Sequence, residues 1–141
     1  MPPPEKPFET FEHPADVGIV AYGADLPELF ANAARGMFHF MIDPDQVRAT
    51  QSRPLTVEAE DLEGLLVAWL NDLLLVLNGD GFVPARFRVR AVSPTRVEAS
   101  LEGEPVDPQR HRFRLDVKAA TYHTLSVKQS DGWEARVLLD V

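Results

Sequence analysis

DLEGLLVAWLNDLLLVLNGDGFVPARFRVRAV, residues 61–92, changes period halfway along, and that change decides the fold class. In its first half Leu62, Leu65, Leu66, Trp69, Leu70, Leu73 and Leu77 recur at helical spacing, and Asn78-Gly79 supplies a stop. Val67, Leu74 and Leu75 carry apolar character further round the cylinder. That predicts a helix buried on two sides, or one that keeps a face for a partner. From Arg86 to Val92 the period falls to two, with Phe87, Val89 and Ala91 alternating with Arg86, Arg88 and Arg90. A buried helix therefore runs into a strand with one solvated face.

The pattern extends in both directions. Downstream, Ser93-Pro94-Thr95 turns the chain into a strand over Arg96 to Glu102. Arg112 to Lys118 reads as another strand, with Phe113, Leu115 and Val117 inward. Thr124 to Lys128 and Trp133 to Val141 meet across Asp131-Gly132, a hairpin signal. Upstream, Phe8 to His13 and Val17 to Tyr22 flank a turn at Pro14 to Asp16. A helix is predicted from about Leu26 to Met41, capped by Asp25 with Glu28 three residues on and ended by Pro44. Pro54 to Glu58 is a further strand. The expectation is an α+β, two-layer domain, with two helices packed on a mostly antiparallel sheet. The Arg ladder and Glu98 and Glu102 should share the solvated face as cross-strand pairs. Residues 8–141 form one domain, and residues 1–7, with Pro2, Pro3 and Pro4, a disordered tail.

Composition narrows the function. Of the 141 residues 45% are apolar and 26% charged, as in an ordinary globular protein. With no cysteine, disulfides and thiolate zinc sites are excluded, which fits a reducing cytoplasm. The chain opens with no secretory signal, so a cytoplasmic location is expected. The longest apolar stretch, Leu62 to Leu77, is broken by Glu63, Asn71 and Asp72. It falls short of the roughly 20 apolar residues of a membrane span. Acidic residues outnumber basic ones 22 to 14, for a net charge of −8. Stable direct binding to RNA is not expected of such a chain; a cation or a basic protein partner suits it better.

The usual catalytic signatures are missing: no Gly-rich phosphate loop, no G-x-S-x-G elbow, no H-E-x-x-H and no thiol. His13, His39, His111 and His123 are scattered without metal-ligand spacing. Two acids stand out. Asp16 lies in the turn joining the first two strands, and Asp140 is penultimate in the last strand, beside Val141. Trp133, Ala135, Val137, Leu139 and Val141 share one face of that strand, which leaves Asp140 and Arg136 on the other. If first and last strands are neighbours, Asp16 and Asp140 converge near a Val141 oxygen, a donor set suited to Ca²⁺ or Mg²⁺. Solvated carboxylates at a turn and a strand end are the simpler account on these residues alone. Lys118, on the polar face of its strand near His123, is by the same measure a solvated lysine.

FEHPADVG (residues 11–18) resembles the opening motif of the archease family. Tyr22-Gly23 with Leu26 to Asn32, and Leu65 to Leu75, resemble its two helical segments, while VKAATYH (117–123) and LLDV (138–141) match its last motifs. The likeness runs in one order from Phe8 to Val141. It implies an activator, itself non-catalytic, of the RtcB-type tRNA-splicing RNA ligase, which promotes the ligase's guanylylation and multiple turnover. It implies a divalent cation, assigned as calcium, on Asp16, Asp140 and Val141. A part in ligase activation falls by the same resemblance on Lys118 and, more weakly, on Asp72. Pro14 departs from the motif and would stiffen the metal turn; the loop leading to Arg53 matches poorly. Two other readings stay open: a general adaptor docking through the second helix, and a metal-dependent hydrolase using Asp16, Asp140 and His123.

Overall fold

The computed structural model describes residues 6–13 and 16–141. Strands β1 (Phe8–His13) and β2 (Asp16–Gly23) lead into helix α1 (Leu26–Met41). A single 3-10 turn (Pro44–Gln46) and β3 (Gln51–Glu58) follow, then α2 (Leu62–Asn78). The chain closes with β4 (Phe82–Ser93), β5 (Arg96–Pro105), β6 (Ala119–Ser130) and β7 (Gly132–Asp140). Of the tail expected over residues 1–7, residues 1–5 lie outside the described residues, as does most of the turn at Pro14 to Asp16, including Pro14. Lys6 pairs with Glu9, and the Pro7 carbonyl accepts from the Tyr22 N–H at 3.0 Å.

Both helices begin at a capping aspartate, the first of them the one expected. Asp25 accepts the Glu28 N–H at 2.9 Å, and Glu28 reaches back to the Ala24 N–H at 3.2 Å. Asp61 caps α2 by accepting the Gly64 N–H at 2.7 Å. At the far end of α2 the Gly79 N–H donates to the Leu75 carbonyl at 2.7 Å, while Gly81 takes the left-handed conformation with φ of 65°.

The fold is α+β, with two helices packed against antiparallel sheets. The sheet expected to be single is two: a four-stranded sheet in the order β1-β2-β7-β6 and a three-stranded one in the order β3-β5-β4. Each helix touches strands of both sheets. That explains the nearly all-round burial of α2, where Val67 and Leu74 are buried and only Leu75 of the extra apolar residues stays 66% exposed. Trp69, fully buried, donates its Nε1–H to the Phe30 carbonyl at 3.0 Å and ties α2 to α1.

The strand expected over Arg112 to Lys118 is absent; strand structure resumes only at Ala119. Residues 106–118 instead cross from the end of β5 to the start of β6, and at Arg112 and Arg114 the backbone bonds partners outside any strand. The Arg114 N–H donates to the Met41 carbonyl at 2.7 Å, and the Arg112 N–H to Gln46 Oε1 at 2.8 Å. Alternation misled there because only Val117 of the three inward candidates is fully buried, while Phe113 is 41% exposed. The expected strand over Thr124 to Lys128 is longer and starts earlier. It carries a register shift between Thr121 and Ser126 and a positive φ of 53° at Thr124. On the second sheet's solvated face Arg86 lies opposite Glu102, and Glu102 pairs with both Arg86 and Arg88. No helix among the described residues is long and apolar enough to cross a membrane.

Candidate functional site

The β2–β7 ladder is antiparallel, and its terminal pair is Asp16 opposite Asp140. Asp16 is thus the first residue of β2 rather than part of the preceding turn, and β2, not β1, is the neighbour of the last strand. Side chains of directly opposed residues leave the same face with Cβ atoms about 4.5–5.5 Å apart, so the two aspartates stand side by side on one face of the sheet. Leu139 and Val137 are fully buried toward the helices, which turns Asp140 to the outer face. That face is not wholly polar. The Phe11 ring lies on Gly18, where an added Cβ would meet it at 2.1 Å, and the Arg136 guanidinium stacks 4.1 Å from the ring centroid. Leu138, the Gly18 partner, is 1% exposed beneath this cover.

The row across the sheet runs His13, Asp16, Asp140, Ala119, one residue from each of β1, β2, β7 and β6. Lys118 precedes that row on the β6 side. Its side chain is exposed, and its N–H donates to the Asp140 carbonyl at 2.8 Å. Val141, half-buried, follows Asp140 directly. Asp16, Asp140, Val141 and Lys118 therefore gather at one end of the four-stranded sheet.

Asp72 is not in this row. It stands half-buried on α2, and burial raises its carboxyl above the ordinary carboxylate range. Its link to the corner is through its neighbour. The Ala120 N–H donates to Asn71 Oδ1 at 2.8 Å, and Asn71 Nδ2–H donates to the Ala120 carbonyl at 3.3 Å. From sequence Asn71 registers only as an interruption of an apolar run, because the strand that its amide meets lies 49 positions away. His123 falls inside the irregular stretch of β6, beyond the Thr121–Leu138 pair and outside the ladder register that aligns the two aspartates. Among the described residues no three or more His, Cys, Asp or Glu side chains are arranged to hold a metal ion. A hydrolytic triad of Asp16, Asp140 and His123 is not assembled.

A second polar cluster anchors the crossing segment that delivers Lys118. Glu104 at the end of β5 is 6% exposed and His111 3%. Arg110 donates to Glu104 Oε2 at 2.9 Å, the Arg48 N–H at 2.6 Å, and His111 Nε2 lies 3.0 Å from the same oxygen. The Asp107 N–H donates to His111 Nδ1 at 2.9 Å. Nδ1 is therefore the acceptor, and Nε2 carries the proton that bonds Glu104. The Arg110 guanidinium, opposed by burial and helped by the Arg48 and His111 bonds, lowers the Glu104 carboxyl to about 2.

The donor set tests well for a hard cation. Two opposed carboxylates and a neighbouring main-chain oxygen are all-oxygen ligands of the kind Ca²⁺ or Mg²⁺ takes. Like charges directly opposite in a ladder are destabilising, and a cation bound there would offset that cost.

Residues 8–141 match the model of the Archease protein family. The chain is 39% identical to protein archease of Methanosarcina acetivorans and 37% to that of Methanosarcina mazei, each over all of both chains. The solution structure of Methanobacterium thermoautotrophicum protein 1598 aligns with a TM-score of 0.80 at 35% identity, over 96% of this chain and 99% of that one. A Thermotoga maritima crystal structure, described as an archease and possible chaperone, aligns at 0.69 with 20% identity over 93% of this chain and 94% of that one, a likeness of fold.

Proposed function

The chain belongs to the archease family, and from that premise we propose that it activates an RtcB-type tRNA-splicing RNA ligase, promoting guanylylation and multiple turnover without catalysing a reaction itself. The observation that carries this reading is the corner of the four-stranded sheet, where Asp16 faces Asp140 and Lys118 bonds the Asp140 main chain. Asp16, Asp140 and the Val141 oxygen are the residues to hold a divalent cation, calcium by the family resemblance. When bound, it supplies positive charge between the two carboxylates.

Lys118 presents its ammonium from the segment bonded to Asp140, toward the ligase or the guanylate it carries. A positive charge at a transferring phosphate stabilises the charge that develops in the transition state. Asp72 offers a carboxyl to the same partner from the helix side. The chain's net charge of −8 favours a protein partner over RNA held directly. Exposed Leu75 (66%) and Tyr122 (65%) favour a second reading, a general adaptor that docks through apolar contacts.

Multiple-turnover ligation by a cognate ligase, with and without this protein at saturation, tests both. The expected result is a rate increase that Lys118→Ala removes, by a factor of about 10²–10³, while cation binding persists. Full activation by Lys118→Ala would refute the role of the lysine. No activation by the unmodified protein, with equal binding to unrelated clients, would favour the adaptor.

A further inference from the structure

We propose that Asn71 is the positioning residue for the Lys118–Asp140 corner, acting as a side-chain substitute for a missing strand; the inference rests on the activator reading above. Among the described residues β6 is an edge strand, with β7 on one side and no strand on the other. An edge presents unpaired N–H and C=O groups, which water or a side chain must satisfy. At Ala120 the Asn71 amide takes both groups, accepting the N–H at 2.8 Å and donating to the carbonyl at 3.3 Å. A primary amide carries the donor and acceptor of a peptide group, so Asn71 reproduces a ladder pair from the flank of a helix.

The placement gives this pair its consequence. Ala120 is two residues after Lys118, and Lys118 is where regular strand structure has not yet begun. One bond from Lys118, to the Asp140 carbonyl at 2.8 Å, holds it against β7. The Asn71 pair holds the same short segment from the opposite side, against α2. Asn71 sits on a helix whose neighbours Leu70 and Leu73 are fully buried, so its amide is mounted on a rigid support. The Asp16–Asp140 pair, by contrast, belongs to the β2–β7 ladder and does not depend on Asn71. Asn71 therefore governs where the lysine is presented and leaves the carboxylate pair alone.

The test combines amide exchange with a double-mutant cycle. In the unmodified protein, NMR-detected exchange of the Ala120 amide should be as slow as that of amides inside the β2–β7 ladder; fast exchange overturns the proposal whatever the variants do. Asn71→Ala and the better space-filling Asn71→Leu should both speed exchange at Ala120 and Lys118 and lower ligase activation on the order of tenfold to a hundredfold, the scale of a displacement near 1 Å. Calcium affinity by calorimetry should stay within about twofold, because the two carboxylates are placed by the β2–β7 ladder, which Asn71 does not touch. In the Lys118→Ala background, Asn71→Ala should cause no further loss of activation. Additive losses, an unchanged activation in Asn71→Ala, or a collapse of calcium binding would each overturn the assignment. If the unmodified protein activates no ligase, the activator reading is what has failed, and the exchange measurements alone decide whether Asn71 clamps the edge.

Discussion

Asp16 and Asp140 are ordinary aspartates until the β2–β7 register sets them side by side. A directly opposed pair of like charges costs on the order of 0.2–1 kcal/mol, and a cation reverses the sign of the interaction. Asp140→Asn in a chelator should therefore melt at or above the unmodified protein. In millimolar calcium the order should invert, because the unmodified protein gains binding energy that the variant lacks. Melting curves in both conditions check this, and a variant that is the less stable one in chelator would contradict the opposed-charge account. The residue types at this corner were legible in the sequence. Their convergence was legible only through resemblance, since no local rule ties position 16 to position 140. Asn71 shows the same limit from the other side: its polar character was plain, its partner was not.

Among the elements, the crossing segment of residues 106–118 departs most from the sequence reading. Its alternation of Phe113, Leu115 and Val117 matches a strand, yet no neighbouring strand offers a ladder, so its backbone bonds Met41 and Gln46. Periodicity reports which faces can be buried and says nothing about whether a partner strand exists. What fixes the segment is Glu104 with Arg110, His111 and the Arg48 N–H. Glu104→Ala would orphan the buried His111 Nε2–H and the Arg48 N–H, and each orphaned donor costs about 1–3 kcal/mol. The pH dependence has a definite sign. The folded carboxyl sits at about 2 against an ordinary 4.5, so the unfolded chain binds the proton first as pH falls. The stabilisation is complete above the unfolded value and is lost as pH drops from about 4.5 toward 2. Stability curves of the unmodified protein and Glu104→Ala should converge across that window; parallel curves would show that Glu104 is not the titrating group.

At the scale of the whole molecule, 22 acidic against 14 basic residues set the long-range field. Of the β4 arginines, Arg86 and Arg88 share the Glu102 carboxylate. Filter binding of a tRNA half near physiological salt should accordingly show no complex tighter than the non-specific range of about 10⁻⁴–10⁻⁶ M. Retention at lower concentration would mean that a basic face exists. The sequence by itself determined the two helices, the Asp25 cap of the first, most strands and the charge, because each depends on neighbours within a few positions. It also carried the family likeness, which depends on order along the chain. Only the tertiary structure decided that the strands divide into two sheets braced by both helices, and that Asp16 meets Asp140. It alone decided that residues 112–118 are a crossing rather than a strand, and that Asn71 closes the edge of β6. These are long-range pairings, and which edges meet is settled by the packing of the whole core rather than by any local preference.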